Sequence, residues 1–238
     1  MQYIWLIWSG AFLAPWAVLY FFRPAFRREM LRVSLATSLL GLSEPIFVPE
    51  YWNPPTLFDL AQRTGFDIES LIFCFAIGGI GAVMYNALAN HSLGEVPHDE
   101  RHDSRHRWHR LALAAPFAVF TVLYFLPWNP IYPGIFAMMT GGIANVLCRP
   151  DLLRNTLLGG MLFLSLYAIF MLLLIVFVPG YIEQVWNLPD LSGVLLGGIP
   201  LEELAFGFAF GLYWAGIYEH FTWHRSQPDK STLACVAG

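Results

Sequence analysis

Gly197-Gly198-Ile199-Pro200-Leu201-Glu202-Glu203-Leu204-Ala205-Phe206-Gly207-Phe208 sets two adjacent carboxylates at the mouth of an apolar helix that runs to about His220. Pro200 fits the first helical position, where its missing N–H costs nothing. Glu202 and Glu203 then fall in the first turn, where the positive end of the helix dipole favours carboxylates. That accounts for a well-formed helix start, but not for charge at the rim of so apolar a segment. Ionisable groups on membrane helices face an interior cavity and act there.

The surrounding chain has the composition of a polytopic membrane protein. Its 238 residues are 57% hydrophobic and only 13% charged, which excludes an ordinary soluble globule. A helix needs roughly 20 apolar residues to span a bilayer. Seven segments near that length lie between polar or Pro-rich breaks, at about 3–22, 33–48, 67–90, 111–127, 131–148, 155–178 and 197–220. The expected fold is all-α, a seven-helix integral membrane protein. Arg23, Arg27, Arg28 and Arg32 follow the first segment rather than precede it, which reads as an anchor and not a secretory signal. Alternating from there puts every Lys and Arg except Arg63 on one side. By the positive-inside rule that side is the cytoplasm, the N-terminus is extracytoplasmic, the C-terminus is cytoplasmic, and a bacterial inner membrane is the expected location. The stretch 91–110 reads as a cytoplasmic loop and 226–238 as a disordered tail, both too polar to bury an apolar face.

Setting residues 67–86 beneath 200–219, at a constant offset of 133, pairs identical residues at Glu69/Glu202, Leu71/Leu204, Phe73/Phe206, Phe75/Phe208, Ala76/Ala209, Gly78/Gly211, Ala82/Ala215 and Tyr85/Tyr218. Upstream, Phe47-Val48-Pro49-Glu50-Tyr51 matches Phe177-Val178-Pro179-Gly180-Tyr181, and Arg23-Pro24 matches Arg149-Pro150. Within a transmembrane domain over 1–225, this predicts repeat one at 1–90, the loop and a linker helix at 91–130, and repeat two at 131–225. An odd helix between the copies keeps them parallel, so Glu69 and the Glu202/Glu203 pair should face one shared cavity from the extracytoplasmic side.

On a helix, Glu202 shares a face with Phe206, Ala209 and Tyr213, and Glu203 with Phe206, Gly207 and Phe210. Two neighbouring carboxyl groups in an apolar setting resist ionising together, so one can donate a proton while the other accepts. Aromatic rings attract cations. An acid, a base and aromatic walls suit a reaction that passes through a carbocation on a lipid-soluble polyene.

Pro200-Leu201-Glu202-Glu203 followed by Leu204-Ala205-Phe206 and preceded by Trp186 and Gly193, in a small membrane protein of repeated three-helix units, resembles the membrane-integral, flavin-independent lycopene cyclase family. The resemblance implies acid/base cyclisation of the ends of lycopene or a related acyclic carotenoid to ionone rings, an isomerisation with no cofactor. It implies catalytic roles for Glu202, Glu203 and Glu69, and substrate contacts from Phe73, Phe206, Phe210, Tyr213 and Trp186. A lipid-soluble polyene, membrane lipid, and a second cyclase subunit or a homodimer are the implied partners. The first repeat departs from the motif, reading Asp67-Ile68-Glu69-Ser70, without the proline or the second glutamate. Ser70→Glu, which restores that carboxylate, is expected to be tolerated.

Other chemistries find less support. His98, His102 and His106 are spaced by four with His109 close behind, but one cluster in a charged loop does not make a membrane di-iron site, and no metal is expected. Cys74, Cys148 and Cys235 lack CxxC spacing and read as packing residues and a tail. His220 and His224 read as interfacial. A retinal protein needs a buried lysine, and the single lysine is Lys230 in the tail. No nucleic-acid motif is present. Two alternatives stay open: a non-catalytic membrane module that binds a carotenoid or assembles with a partner, and a proton-coupled transporter.

Overall fold

The computed structural model describes residues 3–101, 103 and 106–228. His102, Ser104, Arg105, Lys230 and Cys235 lie outside the described residues. The first apolar segment is two helices, α1 (Ile4–Ala11) and α2 (Leu13–Phe22). Pro15 stands in the first turn of α2, where its missing N–H is one that a helix start leaves unbonded in any case. Next come α3 (Arg27–Ser38), a 3-10 stretch (Leu39–Ser43) and the single turn α4 (Glu44–Phe47). After α5 (Leu60–Thr64), α6 (Ile68–Leu88) closes the first half. Strand β1 (His91–Glu95), the short α7 (His98–Arg101) and α8 (His109–Tyr124) lead to α9 (Ile131–Cys148), α10 (Leu153–Phe177) and α11 (Tyr181–Val185). A tight hairpin of β2 (Leu195–Leu196) and β3 (Ile199–Pro200) enters α12 (Leu201–Thr222), and β4 (His224–Pro228) pairs antiparallel with β1.

The protein is thus nearly all-α. Among the described residues, four helical stretches are long and apolar enough to cross a membrane: Ile4–Phe22, Ile68–Leu88, Ile131–Cys148 and Pro150–Phe177. The helix α8 is apolar but shorter.

Two expectations need correction here. Pro200 is not the first helical residue. It is the N-cap, extended at ψ 137°, because the β2–β3 hairpin holds Ile199–Pro200 as a strand up to the helix. The tail does not lose structure at Ser226, since β4 runs to Pro228. The polar segment 91–95 has no apolar face to bury, but it satisfies its backbone by pairing with residues 224–228 far along the chain.

The packing has a twofold character. α3 lies against α6 as α10 lies against α12, and α6 and α12 meet at the centre. Close approach needs small residues. A Cβ on Gly78 of α6 would strike Thr37 of α3, and one on Gly211 of α12 would strike Phe163 and the backbone of α10. Where the central helices meet, Asn86 and its offset mate Glu219 bond directly, Asn86 Nδ2 donating to Glu219 Oε1 at 2.7 Å. Asn155 Nδ2 adds a second donor at 3.2 Å.

Each end of the bundle is tied by polar contacts. At one end, Asn129 and Asn187 both donate to the Glu50 carbonyl, at 2.9 and 3.1 Å. At the other, β1 and β4 form their ribbon and Arg225 pairs with Glu100.

Candidate active site

The helix α12 begins where the hairpin lets it. Gly197 and Gly198 take φ of +63° and +86°, values that L side chains rarely adopt, and so reverse the chain immediately before the helix. Successive helical residues point about 100° apart, so Glu202 and Glu203 diverge. Both are buried, at 3% and 4% exposure.

Glu203 gathers three donors from three other parts of the chain. Oε1 accepts from the Tyr51 hydroxyl and, at 2.7 Å, from Trp186 Nε1. Oε2 accepts from the Tyr167 hydroxyl. The side chain faces a cavity of about 850 Å³, within the size range of small-molecule sites. Its lining follows α12 from Glu203 to Thr222. At 1.5 Å per residue that is a length of roughly 28 Å. The walls are overwhelmingly apolar, and all five aromatic residues singled out from the sequence, Phe73, Phe206, Phe210, Tyr213 and Trp186, line it. Phe206 lies 5.6 Å from Tyr167 and 5.9 Å from Phe210, centroid to centroid, so aromatic faces continue from the carboxylate into the cavity.

Glu202 and Glu69 sit elsewhere. Neither lines the cavity. Oε1 of Glu202 accepts from the Tyr132 hydroxyl at 2.7 Å and the Ser192 N–H at 2.8 Å. Oε1 of Glu69 accepts from the Leu57 N–H at 2.7 Å. These two residues, 133 positions apart, make similar contacts: each holds a backbone N–H of the segment ahead of its helix, Ser192 before the β2–β3 hairpin and Leu57 in the turn before α5. The sequence therefore brings Glu203 to the cavity with its aromatic neighbours, but not Glu69 or Glu202.

A different carboxylate stands there. Glu44, in the turn α4, lines the cavity and is 6% exposed. Its Oε2 accepts from the Ser70 hydroxyl at 2.9 Å, its Oε1 has no donor, and Asp67 and Trp52 are its neighbours. Ser70 Oγ also lies 3.2 Å from Asp67 Oδ2. Ser70→Glu would therefore bring a third buried carboxylate against two, which contradicts the expectation that it is tolerated.

The tyrosines cross between the halves. Tyr51, from the first Phe-Val-Pro-x-Tyr, donates to Glu203 on α12. Tyr181, from the second, is buried on the cavity with no hydroxyl partner. Burial, and next the charge of Glu203, pushes the Tyr51 phenol well above its ordinary value. Burial, with Glu69 behind it, does the same to Tyr181. Both therefore remain hydrogen donors at neutral pH. Trp52 and Trp186 form an isolated antiparallel bridge, with ring centroids 5.5 Å apart.

Sequence reasoning missed Glu44, Tyr51 and Tyr167. One signal was available: Glu44 is the sole ionisable residue of the 33–48 segment. Nothing in the periodicity of α10 singles out Tyr167.

A family model described as lycopene cyclase matches residues 129–221, the part that contains Tyr167, Trp186 and the Glu202/Glu203 pair. No curated protein and no solved structure matches the chain.

Proposed function

We propose, from the match of residues 129–221 to the lycopene cyclase family model, that the whole chain is a membrane isomerase. It would close the ends of lycopene or a related acyclic carotenoid to ionone rings by acid/base chemistry in this cavity. The observation that carries the reading is the cavity itself: long, apolar, walled by aromatic rings, with two carboxyl groups, Glu203 and Glu44, on its lining. An elongated polyene matches a space of that length. Both groups lie by the starts of the central helices, at one end of the cavity, so one end of the polyene is processed at a time.

The chemistry needs a proton delivered and a proton removed. Protonation of the terminal double bond leaves a tertiary cation, the neighbouring double bond attacks it to close the six-membered ring, and loss of a proton from carbon beside the new cation restores a double bond. Atoms and electrons balance without an oxidant or reductant. Three donors on Glu203 suit a carboxylate that takes the proton away. The donor-free Oε1 of Glu44 beside Asp67 suits a carboxyl that gives one. The rings of Phe73, Phe206 and Phe210 stabilise the cation between those steps. Glu202 and Glu69, in this reading, are anchors that fix the loops ahead of α12 and α6.

The reading includes seven crossings in two parallel three-helix repeats around the linker α8, with the N-terminus extracytoplasmic. The β1–β4 ribbon supports it, because a loop and a C-terminal segment that pair must share one side. Reporter fusions at Pro97 and Asp190 are expected on opposite sides, the first cytoplasmic. Finding both on one side would overturn the count.

The functional test is incubation of membranes that carry the protein, alone and with candidate partner subunits, with preformed unlabelled lycopene in deuterated water. Cyclised pigment carrying one solvent deuterium per ring is the expected result. Lycopene left untouched in every combination would instead favour a carotenoid-binding module, and solvent-free rings would exclude protonation.

A further inference from the structure

At the end of the bundle away from Glu203, four metal-capable side chains converge from three separate parts of the chain. Cys148 closes α9, His220 lies in the last turn of α12, and His106 and His109 come from the segment that leads into α8. Cys148 Sγ is 3.5 Å from His109 Nδ1 and 3.7 Å from His106 Nδ1. The rings of His109 and His220 are 4.5 Å apart between centroids, and one ligand atom each from His109, Cys148 and His220 all fall within 4.8 Å of one another.

The sequence reads His220 as interfacial. It is instead fully buried, at 0% exposure, because the segment 106–109 and Trp223 fold over it. Its Nδ1 meets Asn145 Oδ1 at 2.6 Å. Asn145 Nδ2 donates in turn to the Tyr213 carbonyl at 3.5 Å, which turns the amide oxygen toward the imidazole. The hydrogen of His220 is therefore on Nδ1, and the lone pair is on Nε2, buried with no partner. An imidazole held by one nitrogen through an amide or carboxylate oxygen, with the other nitrogen bare, is the arrangement by which proteins orient a metal-binding histidine. Left without an acceptor for its lone pair, the same nitrogen is a buried polar atom that costs stability.

We infer that Cys148, His109, His220 and His106 form a structural site for a tetrahedral, borderline-soft divalent cation of the zinc class. The spacings fit. Zinc bonds of about 2.3 Å to sulfur and about 2.0–2.1 Å to nitrogen, at the tetrahedral angle, set sulfur and nitrogen roughly 3.6 Å apart. One thiolate with three imidazoles suits zinc over magnesium or calcium, which take oxygen ligands. The adjacent cation, Arg149, is already engaged: its guanidinium holds Asp151 through Nε at 2.8 Å and Nη2 at 2.6 Å and donates to the His224 carbonyl. With His106 completing the set of three through its approach to the Cys148 sulfur, no position is left open, and the ion ties rather than catalyses. It joins the segment before the linker helix to α9 and α12, at the end of the bundle away from the cavity carboxylates.

The test uses the full-length protein purified in detergent, stripped with chelator, and titrated with Zn²⁺ or with Co²⁺ as a spectroscopic stand-in. The expected result is one ion per chain, a thiolate-to-cobalt charge-transfer band in the near ultraviolet, and the intense visible bands of tetrahedral cobalt. Cys148→Ser should lose the charge-transfer band, while Cys74→Ala keeps it. Should Cys148→Ser not fold, His109→Ala, at a half-exposed ligand, should shift the cobalt bands. Asn145→Ala should weaken zinc about 10- to 100-fold by freeing the His220 ring. A wild type that takes up no cobalt at saturating concentration, or a cobalt spectrum unchanged in both Cys148→Ser and His109→Ala, overturns the site.

Discussion

At the start of α12 the helix itself supplies the cavity carboxylate, Glu203, and its donors arrive from Tyr51, Tyr167 and Trp186. At the start of α6 the matching position is Ser70, and the carboxylate comes from elsewhere, Glu44 on α4, with Ser70 donating to it. The surrounding parts are kept on both sides: a tyrosine from the opposite half, a tryptophan of the Trp52/Trp186 bridge, and a helix-start glutamate holding a loop N–H. What differs is which element carries the acid. Under the proposed reading, a duplicated motif has lost a functional residue at its own position and retained the function in space, because a cavity fixes where a proton is needed and not which stretch of backbone delivers it.

The largest effect should come from the side where the helix carries the group. Glu203→Gln keeps the shape and two of the oxygen-directed contacts' geometry but removes the basic carboxylate. Cyclisation rate is expected to fall roughly 100- to 10,000-fold, measured as pigment formed by solubilised enzyme. Ser70→Glu should break the comparison in the other direction. A third buried carboxylate beside Glu44 and Asp67 is an uncompensated charge, worth about 3–5 kcal/mol, and a loss of thermal stability or of folded yield is the expected outcome.

Tyr51→Phe removes one charge-directed hydrogen bond to Glu203, a loss of about 1.5–3 kcal/mol, and should lower activity about 10- to 100-fold. Tyr181→Phe, its counterpart, deletes a hydroxyl that has no partner. Its activity and melting temperature should hold level, and a loss of activity comparable with that of Tyr51→Phe would mean that the two halves are not distinguished in this way.

The helices and the aromatic wall were legible in the sequence because each depends on local pattern. Among the described residues, apolar length marked the four helical stretches long enough to cross a membrane, out of seven expected segments, and the offset of 133 carried Phe206 onto Phe73, both of which reach the cavity. The distribution of roles among the glutamates was not legible. Helical periodicity gives Glu202 and Glu203 different faces, but which face meets the cavity depends on the β2–β3 hairpin and on Tyr132 and Ser192 capturing Glu202. Glu44 was hidden for a similar reason. A 3-10 stretch after α3 re-aims the chain, so helical spacing from 33 onward no longer tells where residue 44 points. The β1–β4 ribbon and the burial of His220 both arise from contacts between residues more than 100 positions apart, to which no local pattern is sensitive.

The central claim is that the first half contributes its acid through Glu44 and not through Glu69, the residue that the repeat aligns with the motif. Pigment chromatography of Glu44→Gln beside Glu69→Gln, each expressed in a lycopene-accumulating cell at matched membrane levels, tests it directly. The expected result is uncyclised lycopene from Glu44→Gln and cyclised product, with reduced thermal stability, from Glu69→Gln. Cyclised product from Glu44→Gln together with uncyclised lycopene from Glu69→Gln would contradict it.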